Sequence, residues 1–150
     1  MHIAWNDLSI LQSRSIDEYA FVQPLINIFN GIKSHSIEEI FSFIFYSYGF
    51  LYFFLNFISS YIYIDDIGNP NFLSSIRLLA ISIFCLTILL FYKIINQTKA
   101  STSEKMLLIL VVLAMPAMWI FSGYIHPDFL MLVLFLASVL FMIKAGTNIN

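Results

Sequence analysis

Apolar residues run through this chain in long stretches, and a few polar positions punctuate them. Residues 1–35 are the exception, mixing Asp7, Arg14, Asp17, Glu18 and Lys33 with apolar positions. Within them Phe21, Leu25, Ile28 and Phe29 recur at helical spacing, which predicts an amphipathic helix lying at an interface. Gly31 is its expected stop. Ser36-Ile37-Glu38-Glu39 then reads as a capping box, with Ser36 as N-cap and Glu39 at the third helical position. It opens an aromatic stretch from Ile40 to Ile64, long enough to cross a bilayer, which takes about 20 helical residues. Ser42, Ser47, Gly49, Asn56, Ser59 and Ser60 interrupt that stretch, and its tyrosines favour the headgroup level. It is read as either a spanning or a juxtamembrane helix. Asp65-Asp66 and Gly68-Asn69-Pro70 end it in a turn.

Three further runs follow, over 76–95, 106–124 and 128–144. Arg77 and Lys93 flank the first, where their stems can snorkel. Asn96 to Lys105 reads as a polar loop, and Pro116 lies inside the second run, where a membrane helix tolerates it as a kink. His126-Pro127-Asp128 punctuates the chain before the third, which Lys144 and Gly146 close. The fold class expected is all-α integral membrane, with three to four hydrophobic helices and an N-terminal amphipathic juxtamembrane helix. Lys93, Lys99, Lys105 and Lys144 mark the cytoplasmic side by the positive-inside rule. The turns at Asp65 and at His126 then face outward.

Composition agrees with lipid as the solvent. Of the 150 residues 60% are hydrophobic and 11% charged, with a mean hydropathy of +0.87; ordinary soluble domains carry about 25% charged residues. A net charge of −2 with scattered Lys and Arg leaves no basic footprint, so nucleic acid is not an expected partner. Cys85 is the sole cysteine, so neither an internal disulfide nor a CxxC site is available, and it reads as a small packing residue. The N-terminus lacks the basic-then-apolar order of a signal peptide. The expected location is a plasma or bacterial-type inner membrane, crossed several times.

Few residues can carry chemistry. Asp17-Glu18 either complements a helix dipole or offers a general base or metal ligand at a membrane face. Asp128 is a natural N-cap after Pro127; with His126 it could equally help hold a metal or an anionic headgroup. Asp65-Asp66 reads as a solvated turn. Asn96-Gln97-Thr98 fits a glycosylation sequon on the side assigned to the cytoplasm. Tyr46 and Tyr48 can sit near a lipid headgroup.

In order and spacing these features resemble the N-terminal part of a membrane glycosyltransferase of the GT-C type, the class that includes protein mannosyltransferases and aminoarabinose transferases. Ser15-Ile16-Asp17-Glu18-Tyr19 resembles the acidic motif of the family's first external loop. Ile26-Asn27-Ile28-Phe29-Asn30-Gly31 is similar to the amphipathic helix after it, and Tyr48-Gly49-Phe50-Leu51-Tyr52 to the aromatic segment that follows. Arg77-Leu78-Leu79 and His126-Pro127-Asp128-Phe129-Leu130 resemble the openings of two later membrane helices. The resemblance implies transfer of a sugar from a polyprenyl-phosphate donor to an extracytoplasmic acceptor. Asp17 would be the catalytic base and Glu18 its support. Tyr48, His126 and Asp128 would bind substrate, and Asp128 would be the ligand of a divalent metal. It also implies that these residues are part of a larger protein, since the family has a membrane helix before the acidic motif and further helices beyond. Two other classes fit the residues: a non-enzymatic small membrane protein packed on partner helices, and a fragment of a transporter.

Overall fold

The computed structural model describes residues 16–42, 49–63, 65–116, 118 and 125–147, with 16–18 and 147 described by their backbone alone. Every regular element among the described residues is a helix: α1 (Ile16–Ser34), α2 (Ile37–Ile40), α3 (Phe50–Ser60) with a 3-10 turn at Tyr61–Tyr63, α4 (Pro70–Asn96), α5 (Thr102–Ala114) and α6 (Asp128–Thr147). They divide into two compact units, Met1–Leu79 with Ile125–Pro127, and Ala80–Tyr124 with Asp128–Asn150.

In the first unit, α1 buries the face its periodicity predicts, with Phe21, Val22, Leu25, Ile28 and Phe29 all inside. Phe29 is fully buried and meets Phe57 of α3 at 5.5 Å and Phe72 of α4 at 5.3 Å between ring centroids. Tilted and edge-on ring pairs of this kind add about 0.5–1.5 kcal/mol beyond the area they bury. Tyr52 and Phe53 of α3, Leu73 and Ile76 of α4, and Ile125 complete this core. An exposed ion pair, Lys33 to Asp65 at 3.8 Å, links the end of α1 to the turn beyond α3.

Gly31 does not end α1, which runs three residues further. The stop is a Schellman motif around His35, whose φ of 55° is left-handed. Its N–H bonds the Ile32 carbonyl, and the Ser36 N–H bonds the Gly31 carbonyl. Gly31 serves a close approach instead. A Cβ there would stand 2.6 Å from Ile40 Cγ1, 2.7 Å from Ile40 N and 2.9 Å from Ser36 O.

Ser36 does cap α2, its hydroxyl accepting from Glu39 N. The reciprocal half of the box is missing, because Glu39 accepts instead from Ser34 Oγ at 2.8 Å. The aromatic stretch 40–64 is therefore not one helix. α2 ends at Ile40, and α3 starts afresh after Gly49, whose φ of 78° suits glycine. At 1.5 Å per residue α3 is only about 16 Å long, roughly half a bilayer core.

Among the described residues two helices are long and apolar enough to cross a membrane, α4 over Pro70–Asn96 and α6 over Asp128–Gly146. α5 covers about 20 Å at 1.5 Å per residue and stops short of that. Its end corrects the expectation of a kinked helix through Pro116. Met115, the residue before the proline, is extended at φ −66°, ψ 118°, because the proline ring crowds the helical conformation of its predecessor. The polar loop is also shorter than the expected Asn96–Lys105. α4 holds through Asn96, and Ser101 opens α5 with a complete capping box to Glu104. Bonds from the Ser101 backbone and hydroxyl hold the Glu104 carboxyl below its ordinary value.

In the second unit, Ile83, Phe84, Thr87 and Ile95 of α4 and Val133, Leu136 and Leu140 of α6 are buried, with Phe84 edge-on to Phe129 at 5.5 Å. α5 buries no residue.

Adding a methyl at Gly31 presses on backbone that cannot yield, so Gly31→Ala should lower stability by about 1–3 kcal/mol. His35→Gly should raise it by about 0.5–1 kcal/mol by relieving the left-handed strain. Thermal unfolding in detergent reads both, and a neutral Gly31→Ala would contradict the close approach. For Glu104 the folded pKa is depressed. Its contribution to the first turn of α5 is present above the ordinary value of 4.5 and fades as pH falls through the lowered one. Exchange protection of the Lys105 amide, which donates to Ser101 O, should follow that course and lose its pH dependence in Glu104→Gln.

Candidate functional site

The first turn of α1 contains Asp17 and Glu18, described by their backbone alone. They stand at the N-terminal end of the helix, where its dipole favours a carboxylate. Phe21 lies four residues after Asp17 and therefore on the same face, one turn on. Phe21 is buried and meets the His126 ring at 4.6 Å between centroids, with the planes at 71°.

The His-Pro-Asp turn reaches this position for local reasons. Pro127 keeps His126 out of the helical region. Ile125 and Pro127 are both buried in the first unit, so the half-buried imidazole is anchored from either side. The structure thus brings together, through Phe21, the helix of the acidic pair and the imidazole, which lie more than a hundred residues apart in sequence. Asp128 belongs to the second unit, exposed, as the first helical residue of α6, where a carboxylate complements the helix N-terminus. Tyr48 lies outside the described residues. Asp65 and Asp66 are exposed in their turn, as a solvated turn requires.

The chemistry these groups offer is acid–base and anion-binding. A carboxylate can take a proton from an acceptor, and an imidazole can donate to an anionic oxygen. Among the described residues no three His, Cys, Asp or Glu side chains come together as a metal site.

One polar residue behaves differently from its sequence reading. Arg77 does not snorkel from the end of its helix but is buried, at 3% exposure, in the first unit. The signal was present in its spacing: Arg77 follows Leu73 by four residues and shares its inward face. Asn56 and Ser60 are also buried. Asn56 donates to the Tyr52 carbonyl at 2.8 Å, and Ser60 donates to the Asn56 carbonyl at 2.7 Å.

Comparison with protein-family models, with curated proteins and with solved structures finds no match to this chain.

If the Phe21–His126 contact holds the turn against α1, the two residues must be energetically coupled. A double-mutant cycle of Phe21→Leu and His126→Ala should give a coupling of about 0.5–1.5 kcal/mol in unfolding free energy. Strict additivity would remove the contact as the link between the turn and α1.

Proposed function

We propose that this chain forms part of a membrane glycosyltransferase of the GT-C type, moving a sugar from a polyprenyl-phosphate donor to an acceptor outside the cytoplasm. The observation that carries the reading is the packing of His126 on Phe21, one helical turn from Asp17. The order of the acidic motif, amphipathic helix, aromatic segment and His-Pro-Asp turn along the chain supports it.

In this reaction the acceptor hydroxyl or amine attacks the anomeric carbon and gives its proton to the Asp17 carboxylate. As the new bond forms, the bond from the anomeric carbon to the phosphate oxygen breaks, and the polyprenyl phosphate leaves with the electron pair. Charge develops on that oxygen, and a donor positioned beforehand stabilises it far better than mobile water. His126 supplies such a donor, Glu18 supports the base, and Tyr48 and Asp128 bind substrate. The chain crosses the membrane several times, with Lys93, Lys99, Lys105 and Lys144 inside and the acidic motif and His-Pro-Asp turn outside.

Asp17→Asn in the membrane-inserted protein, assembled with the rest of its enzyme, should reduce sugar transfer by about 10²-fold or more while leaving insertion intact. Transfer at near wild-type rate would remove Asp17 as the base. Single cysteines at Ser15 and Gly123, in a Cys85→Ala background, should both react with an impermeant thiol reagent in intact cells. Reaction at Gly123 alone would separate the two motifs by the membrane and end the shared-site reading.

A further inference from the structure

We infer that the end of the second unit where α4 and α6 stop and α5 starts is a docking surface for an anionic phospholipid. Charge in this unit is sorted by position. Its charged residues are Lys93, Lys99, Lys105 and Lys144 with the acids Glu104 and Asp128. Asp128 stands at the start of α6. The lysines lie toward the other end: Lys93 in the last turn of α4, Lys99 in the connection to α5, Lys105 near the start of α5 and Lys144 in the last turn of α6.

Packing brings these positions to one level. Phe84 of α4 and Phe129 of α6 meet edge-on at 5.5 Å. Past that pair, burial recurs in step on both helices. Thr87 and Val133 are buried one turn on, and Ile95 and Leu140 are buried eleven residues past their rings. Two helices running side by side in the same direction give this match. At 1.5 Å per residue Lys93 then stands about 14 Å and Lys144 about 22 Å beyond the ring pair. Flexible lysine stems close most of that difference.

Lys93, Lys99 and Lys144 are exposed, and Lys105 is half-buried. The one acid among them, Glu104, is engaged in the cap of α5, where its carboxylate accepts from the Ser101 N–H at 2.7 Å and hydroxyl at 2.8 Å. Four like charges gathered against one acid favour an anion at this end. Neighbouring side chains say what kind. Tyr92, Met106 and Met142, each within two residues of a lysine, are 50%, 60% and 71% exposed. Ammonium groups beside exposed apolar surface fit an amphiphile, with its phosphate oxygens on the lysines and its acyl chains on the apolar side chains. A free phosphate would leave that apolar surface uncovered. The partner is therefore an acidic phospholipid of the leaflet at this end. This inference does not rest on the glycosyltransferase reading.

The test places the purified full chain in lipid nanodiscs, which present the same lipid on both faces and make the result independent of orientation. Phosphatidylglycerol and phosphatidylcholine, each with the same nitroxide on an acyl chain, are compared for the fraction immobilised by the protein. Phosphatidylglycerol should be preferred about threefold, and salt at about 0.5 M should weaken that preference. Lys93→Gln, Lys99→Gln, Lys105→Gln and Lys144→Gln together should abolish it, whereas arginine at the same four positions should keep it. Should the fourfold glutamine variant fail to fold, Lys99→Gln with Lys144→Gln, both at exposed positions, should reduce the preference by about half. Lys33→Gln, in the first unit, should leave it unchanged. Equal immobilisation of the two lipids, or a preference that survives the glutamine variants, would overturn the inference. So would a loss just as large in Lys33→Gln, which would make net charge alone responsible. Displacement of the lipid by millimolar inorganic phosphate would overturn it too, since the ligand would then be the free anion.

Discussion

Phe29 is the residue on which the first unit is organised. It is fully buried, and its ring meets one ring from α3 and one from α4, so a single side chain of α1 fixes that helix against two others. Removing its bulk would open a cavity between three elements at once, a change that costs about 3–5 kcal/mol at fully buried phenylalanines. The remaining apolar positions of α1 then have no freedom to rotate away. Phe21, eight residues earlier on the same stripe, is carried inward and becomes the surface on which His126 rests. The acidic turn at the start of α1 is thus positioned by core packing further along the helix.

The solvent for the outer surface is the second constraint. In both units apolar side chains face out: Leu51, Phe54 and Ile58 in the first, and Leu86, Leu89, Leu110, Phe135 and Phe141 in the second. Thr87 and Asn56 turn inward and bond to their own helices, Thr87 to the Ile83 carbonyl at 3.0 Å and Asn56 to that of Tyr52. Such back-bonding gives a buried polar group a partner within its own helix. α5 carries this outward exposure furthest, since none of its residues is buried. Its Met106, Leu107 and Leu108 are exposed.

Close backbone approaches set the connections. α1 folds back into α2 because Gly31 has no side chain to obstruct Ile40 and because His35 accepts a left-handed conformation. Ser36 serves both helices at once, donating its backbone N–H to close α1 and accepting at its hydroxyl to open α2. Gly49 then releases the chain into α3. These local devices break the longest uncharged stretch of the sequence, leaving the short helices α2 and α3 within it, whereas α4 and α6 keep spanning length.

The sequence by itself determined what depends on periodicity, composition and local turn chemistry. It marked α1 and its inward stripe at Phe21, Leu25, Ile28 and Phe29, the apolar cores of α4 and α6, the cap at Ser36 and the solvated turn at Asp65-Asp66. Each follows from residues within one or two turns of each other, where helical geometry leaves few choices. Tertiary structure decided the rest. The inward position of Arg77 and the meeting of His126 with Phe21 depend on partners distant in the chain, and the role of Gly31 on backbone that folds back onto it. A periodic pattern says that a face is covered without saying by what. A glycine looks like a helix stop until the neighbouring backbone arrives to fill the space a Cβ would need.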